Sequence, residues 1–569
     1  MKKRIVRVNL SDLNIREEDV PEDLNSLGGR SFTSSVVTKE VPPGCHPLGF
    51  ENVLVVAPGL LAGTTLTSSN RLSVGGKSPL TGGIKESNSG GVVGFKMARL
   101  GIKALIIEGR VEDERKLLGI RIDREGVRFE DLADLKGVAT YEASERLRSA
   151  YGQKTGLMIA GPAGEMRLPS ACISITDPEG EPCRTAARGG LGAVMGSKRL
   201  KAVIFDDRGG ESPMLDRDAA RAAIKNFTSA IKKNPVTGGL FAKYGTARTL
   251  NIVNDLGGLP TRNFSSGSFE NADKIGGEAL YRTISERGGM ADHPCMPGCI
   301  IRCSNKYVDT EGGHVVGSLD YETLCLLGSN LGIGDLDQIA ALNRLCNEIG
   351  IDTIETGGAL GVLAEAGIMS FGDFEGARRL LLEVQAGTPM GRILGSGVTA
   401  CGRAFGIERV PAVKNQGMAA YDPRVIKGNG VTYALSPMGA DHTAGNTIIA
   451  AVDHTDPKGK VELSRDLQIF TAVMDSLGLC VFTARPVMED TAVVEEIIEA
   501  FTGLKISFQR LKETAMSILL LERDFNRKAG IGSAQDAIPG FMRREALPPK
   551  GTVFDIEEKA MAAFFDFSR

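Results

Sequence analysis

Three cysteines four residues apart, Cys295, Cys299 and Cys303 in HPCMPGCIIRCSNKY (293–307), form the clearest chemical pattern in a chain with ten cysteines. On a regular helix they would share one face and serve as small apolar residues. Pro297 and Gly298 fall inside the spacing and argue against a regular helix. A turn-rich segment that gathers thiolates points to a metal or cluster nest, with packing as the alternative. Spacing alone leaves a four-cysteine zinc site in competition with an iron–sulfur cluster.

Two glycine-rich stretches offer anion chemistry. Gly76-Lys77-Ser78 invites a phosphate-loop reading, but Arg71 stands where the loop's first Gly belongs and Pro79 follows where its helix should start. ATP hydrolysis is therefore excluded. Arg71, Lys77 and the turn Asn88-Ser89-Gly90-Gly91 still present cations and backbone N–H donors to an anion. Arg184, Arg188, Gly189 and Gly190 repeat the theme, and two such loops suit a ligand with more than one phosphate. Histidine is scarce, with five in the chain. His442, in the turn-like SPMGADHTAGN, suits proton transfer or a plain loop hydrogen bond. Glu322 opens an apolar helical stretch, where a carboxylate also has a purely structural use.

The elements that must position these residues follow from pattern. A chain of 569 residues exceeds one core and implies three or four domains. A hydrophobic fraction of 42%, a charged fraction of 24% and a net charge of -3 describe an ordinary globular protein and give no support to nucleic-acid or acidic-membrane binding. Val6, Val8 and Leu10 alternate with polar residues as in a half-buried strand, unlike a signal peptide. No run approaches the roughly 18 apolar residues of a membrane span. A cytoplasmic location is expected, where thiols stay reduced and clustered cysteines favour metal over disulfide.

Glycine, at 71 residues, is in excess and suggests backbone brought close to something bulky. Short apolar runs such as ENVLVVAPG, KALIIEG, TGLMIAG and LKAVIFDD predict a mainly β region to about Phe205, with a boundary near 208 and helices beyond. DLDQIAALNRLCNEIGID and SRDLQIFTAVMDSLGLC predict helices, each closed by a Gly in the left-handed cap position, Gly350 and Gly478. Asp475 is oddly placed, because the last turn of a helix disfavours an anion. Two similar helix ends suggest two similar ligands, or two halves of one.

Taken together, RIVRVNL, LGGRSF, GKSPLTGG…SNSGG, ARGGLGAVMGSK, the cysteine nest, YETLCLLGSN, CNEIGIDTIETG, SPMGADH and DSLGLC resemble the tungsten-containing aldehyde:ferredoxin oxidoreductase family over essentially the whole chain. That resemblance implies an α+β fold: a β-rich N-terminal metallopterin-binding domain (1–208) followed by two mainly α-helical domains (209–405 and 406–569). It implies one tungsten, or molybdenum, between two pterins, with a [4Fe-4S] cluster on Cys295, Cys299, Cys303 and Cys480. The chain has C-x3-C-x3-C where the first family members compared have C-x2-C-x3-C.

The family's pterin motif D-x-x-G-L-[CD] falls on Asp475, Leu479 and Cys480, and in altered form on Asn347, Ile351 and Asp352. Asn347 can accept pterin N–H groups with one oxygen only, where Asp would offer two. By the same resemblance Arg71, Asn88, Gly90 and the loop from Arg184 through Arg188, Gly189 and Gly190 hold pterin phosphates and their Mg2+. Glu322 is then the base and His442 the donor in oxidation of an aldehyde to an acid, with electrons leaving to ferredoxin or a small iron–sulfur subunit. A homodimer is also implied, but the E-x-x-H match Glu311–His314 has paired glycines that suggest a turn, so an iron at a dimer axis is not expected. A benzoyl-CoA reductase-like subunit is the alternative within the family, with Cys325 near the metal. A zinc-stabilised scaffold is the alternative outside it.

Overall fold

The computed structural model describes residues 3–567. Two six-stranded sheets occupy the first 205 residues. Across the first, the strands run Asn14–Asp19, Arg4–Asn9, Ile102–Glu108, Leu54–Pro58, Leu72–Lys77, Ile84–Ser89. Across the second they run Arg184–Ala186, Ile173–Ile175, Gly156–Ala160, Leu200–Phe205, Leu118–Asp123, Gly126–Asp131.

The central strands are apolar on both faces because both faces are covered. Val8, Leu54, Val56 and Leu105 of one sheet meet Ile120, Met158, Val203 and Phe205 of the other in a shared core. Helix Gly29–Glu40 closes the outer face of the first sheet with Phe32, Val36 and Val37. Helix Thr140–Tyr151 closes that of the second with Ala143 and Leu147.

The two halves repeat one arrangement. A strand ending at a glycine (Leu54–Pro58 before Gly59, Gly156–Ala160 before Gly161) pairs antiparallel with a strand that follows a short helix. Those helices are Val93–Arg99 and Leu191–Ser197.

From Arg217 onward the chain is mainly helical and feeds two apolar cores. One gathers residues from Ala247 to Val461 together with Ile538–Phe564. The other gathers Phe227, Ile231, Cys295 and Cys299 with residues from Ile469 to Leu519, and takes Leu60, Leu61 and Leu66 from the first domain. Each core draws on both helical segments expected from the sequence, so chain order and core membership do not coincide. Among the described residues no single helix is long and apolar enough to cross a membrane; one pair, Lys460–Leu477 and Val481–Glu489, passes that test jointly but is bent by 116°.

Helix Phe508–Lys528 returns to the N-terminal base. Arg30 donates from Nε and Nη2 to the two oxygens of Glu522 at 3.0 and 2.8 Å, and Ser34 Oγ donates to Glu522 at 2.7 Å, all three side chains buried. Removing one partner of such a pair strands the other in low dielectric and costs about 3–5 kcal/mol. Glu522→Ala is expected to lose about that much stability, read as a lower urea midpoint for the first unfolding transition of the intact protein.

Candidate metal and cofactor centre

Both expected helix ends are present and close in the same way. Helix Leu336–Ile349 ends at Gly350 (φ 75°), with the Ile351 amide donating to Cys346 O at 3.0 Å. Helix Lys460–Leu477 ends at Gly478 (φ 78°), with the Leu479 amide donating to Met474 O at 3.0 Å. In each the amide reaches five residues back, which needs a left-handed residue between and therefore favours Gly.

Each end docks on a glycine that closes a strand. A Cβ on Gly59 would collide with Gly478 Cα, and one on Gly161 would stand 2.5 Å from Ile349 O and 2.9 Å from Gly350 Cα. Gly28 and Gly29 make further room: a Cβ on Gly28 would lie 2.8 Å from Ser476 O, and one on Gly29 would collide with Asp475 O.

This docking delivers Cys480 to the cysteine nest. The Cys480 amide donates to Ser68 O at 2.8 Å, and Ser68 Oγ donates to Cys299 Sγ at 3.7 Å. Cys295 and Cys299 hydrogen-bond to each other, and Cys480 lies within electrostatic reach of Cys299 and Cys303. The Cys295–Cys299 hydrogen bond draws the Cys299 thiol down, against its burial, and pushes the Cys295 thiol up.

Cys295, Cys299 and Cys480 are buried and Cys303 partly so. Among the described residues, the ligand triples whose atoms lie within 4.8 Å of one another are Asp177/Glu181/Cys183 and Asp177/Glu179/His293, and no triple of these cysteines is so close. Tetrahedral zinc with Zn–S bonds of about 2.3 Å would draw its sulfurs to about 3.8 Å. No three of these sulfurs are gathered as closely as one tetrahedral zinc requires.

Arg71 joins this nest to the second helix end. Its Nε donates to Asn88 Oδ1, and its guanidinium faces both Cys480 and Asp475. Arg71 and Asn88 are partly accessible between fully buried neighbours, as expected of residues lining an internal hollow. Gly90 faces the nest directly: a Cβ there would stand 3.5 Å from Cys295 Sγ, and the Gly91 amide donates to Cys295 O at 2.9 Å.

Asp475 lies 3.8 Å from Arg30 Nη1 with its side chain 12% exposed. Burial and then Glu86 push its carboxyl well above the usual range, against the pull of Arg30 and Arg71. N–H donors from a partner would stabilise its carboxylate form and lower that pKa, and the amino-pyrimidinone edge of a pterin has that chemistry. Leu479 is buried against the same turn.

The first helix end is built differently. Asn347 O accepts from Thr140 Oγ1 at 2.7 Å, and Ile351 bridges to Ala171. Asp352 caps the next helix by accepting from the Ile354 amide at 3.0 Å, and its other oxygen takes Arg188 Nε at 3.2 Å. Arg188 also donates to Ala440 O and Gly417 O, both at 2.6 Å. Glu355, 3.5 Å from Arg188, is pushed up by burial to about 7.

The structure separates some residues that sequence grouped. Lys77 is not brought to Arg71 and Asn88: its ammonium turns to Pro43 O, because the strand Leu72–Lys77 carries it away at about 3.3 Å per residue. Arg184 points toward Cys295, bonding Ser304 and Ser318, while Arg188 faces the first helix end. Gly189 and Gly190 (φ 81° and 77°) are closed over by Lys85 and Pro169, so they serve a tight turn into helix Leu191–Ser197. Glu311 is exposed in a turn and His314 Nε2 lies 3.1 Å from Glu181, in line with the turn read from its glycines.

Glu322 and His442 converge. Glu322, in the first turn of helix Tyr321–Leu326, accepts from the Ala420 amide at 2.8 Å, and its other oxygen stands 3.3 Å from His442 Nε2. That oxygen and His442 Nδ1 have no hydrogen-bond partner in the protein. Burial raises the Glu322 pKa, against His442 and Arg188.

Tyr421 stacks on the His442 ring at 5.6 Å and on Tyr321 at 5.1 Å. Cys325 is fully buried beside Glu322, and burial keeps it a neutral thiol. Asp441, next to His442, pairs with Lys85 at 2.6 Å; burial opposes its charge, but Lys85 and Arg188 hold its pKa well down. Sequence reasoning missed Lys85, Asp441, Glu355, Glu86 and Tyr421. The one available signal was the alternation of IKESNS, which points Glu86 and Asn88 to one face and Lys85 to the other.

A protein whose duplicated β base seats two glycine-capped helix ends, with four cysteines at one side and a Glu–His pair at another, has the residues to hold a redox cofactor. The family models of aldehyde ferredoxin oxidoreductase match it throughout, the N-terminal domain over residues 5–207 and domains 2 and 3 over 222–567, and the chain belongs to that family. It is 32% identical to the tungsten-containing aldehyde ferredoxin oxidoreductase of Pyrococcus furiosus, over 96% of this chain and 92% of that protein. It is 25% identical to an aliphatic sulfonate oxidoreductase, WOR-like subunit, of the same organism, over 91% and 85%. Among solved structures, the active site complex BamBC of benzoyl coenzyme A reductase with 1,5-dienoyl-CoA shares the fold at a TM-score of 0.80 and 19% identity, covering 99% of this chain and 93% of that one.

Gly59→Ala should push the 475–480 turn off its seat and displace Cys480. Iron bound per chain is expected to fall as far in this variant as in Cys480→Ser; full iron in both would remove Cys480 from the ligand set.

Proposed function

We propose that this chain oxidises aldehydes to carboxylic acids, RCHO + H2O → RCOO− + 3H+ + 2e−, and passes the electrons one at a time to a ferredoxin or a small iron–sulfur subunit. The observation that carries the reading is the partly buried Glu322–His442 pair, 3.3 Å apart and within electrostatic reach of Arg188, with one buried polar atom on each side chain making no hydrogen bond. Family membership and full-length likeness to tungsten-containing aldehyde oxidoreductases supply the chemistry class.

In this reading Asp475, Leu479 and Arg71 hold one pterin, and Asn347, Ile351, Asp352 and Arg188 the other. Asn88 and Gly90 face phosphate and Mg2+ between them. Cys295, Cys299, Cys303 and Cys480 hold a [4Fe-4S] cluster. The tungsten centre, or molybdenum in its place, supplies two-electron oxidation when bound. The protein's part is placement and proton transfer. Glu322 takes a proton from water or the hydrated aldehyde, which requires its carboxylate form. His442 donates to the carbonyl oxygen, its ring held by Tyr421. Arg188 and Lys85 neutralise Asp441, the residue before His442.

Elemental analysis of anaerobically purified protein tests the cofactor set: about one tungsten or molybdenum and four irons per chain are expected, and zinc alone would sink the reading. The kinetic test uses Glu322. Because burial raises its pKa, the carboxylate is lost at a higher pH than for an ordinary glutamate, and kcat/KM should fall as pH drops through that raised value. Glu322→Gln should lower kcat about 10²–10⁴-fold and abolish this acid limb. An unchanged rate and profile would take Glu322 out of the mechanism.

A further inference from the structure

Electrons leaving the four cysteines must cross protein to an acceptor, and transfer through protein weakens steeply with distance. The acceptor therefore has to stand over the surface nearest those sulfurs. Gly298, between Cys295 and Cys299, is exposed, and Val481, the residue after Cys480, is 39% exposed. Phe482 stacks on Phe241 at 4.5 Å, and both pack on the apolar core that contains Cys295, Cys299 and Cys480. Leu240, beside Phe241, is 37% exposed. Segment 241–247 seals Cys303, since a Cβ on Gly245 would stand 2.8 Å from Cys303 O.

Cations rim this small apolar face. Lys232 and Lys233 end the helix that runs into it and are exposed, and Lys243 lies over the rings of Tyr244 and Tyr281 at 4.9 and 5.1 Å. Among the described residues no ion pair engages these three. They form a local positive excess in a chain whose net charge is -3. A nearby surface is different in sign: a cavity of about 710 Å³, whose Glu179 lies 3.3 Å from His293 Nε2, is lined by five glutamates, among them Glu179 and Glu181, against three Lys and Arg side chains. An apolar centre with a charged rim is the anatomy of a steered, transient interface.

We propose that the Leu240–Val481–Gly298 face, with its rim of Lys232, Lys233 and Lys243, is the docking surface for an acidic iron–sulfur electron-transfer protein. The proposal rests on the redox reading above. Reduction of a viologen dye, a small acceptor needing no docking face, reports that reading separately. The holoenzyme is compared with the double variant Lys233→Glu/Lys243→Glu, with Leu240→Glu, and with Arg148→Glu in the glutamate-rich cavity, each assayed with an aldehyde and either viologen or a purified acidic ferredoxin. The double variant should lose about 10- to 100-fold in kcat/KM for ferredoxin at low salt and lose its salt dependence. Leu240→Glu should fall in the same direction, while viologen turnover stays at the wild-type rate in all three. Ferredoxin kinetics unchanged in both face variants, or a larger loss in Arg148→Glu, would overturn the docking face with the oxidase reading intact. A wild-type enzyme inactive with viologen would bring down both.

Discussion

Everything at the centre of this protein depends on backbone lying directly on backbone at two places. At Gly59 the turn of helix Lys460–Leu477 rests on the end of a strand, fixed by the amides of Leu60 and Leu61 donating to Ser476 O and Leu477 O at 3.1 Å and by the Arg71 amide donating to Gly478 O at 3.1 Å. At Gly161 the turn of helix Leu336–Ile349 does the same, fixed by the Cys172 amide to Gly350 O at 2.9 Å and the Asp352 amide to Ser170 O at 3.0 Å. A single methyl group at either glycine would separate the layers. The glycine excess thus reflects backbone near backbone as much as backbone near ligand, and the duplicated sheets explain why the contact occurs twice.

The charges held in this interior are mutually compensated. Arg30 answers Glu522 and Asp475, Lys85 answers Asp441, and Arg188 answers Asp352 and Glu355. Buried ions survive only when so paired and hydrogen-bonded. The least compensated group is Asp475, which shares Arg30 with two other carboxylates, Glu86 and Glu522. The counterpart position at the other helix end is Asn347, so the two ends of the hollow differ in charge while matching in backbone.

Local features were legible in the sequence because their causes are local. A helical apolar period followed by Gly gave both capped ends, and short apolar runs closed by Gly, Pro or Asp gave the central strands. The cysteine nest was legible from Pro297 and Gly298 interrupting a helical spacing. Pairings across hundreds of residues were not: nothing near Lys85 announces Asp441, and nothing near Arg30 announces Glu522. Lys77 lies away from Arg71 for a geometric reason, since a loop would keep the two together and a strand does not. The duplication of the β base escaped because strand order repeats while the residues themselves hardly do.

Arg30 and Glu522 are 492 positions apart in the chain. A ribosome therefore finishes the β base long before the helix that locks it exists. The hollow closes only when the last hundred residues fold back over it, because long-range contacts come late when their loops are long. An interior that shuts last is one that can be filled while still open, so bulky contents need no permanent doorway wide enough to admit them.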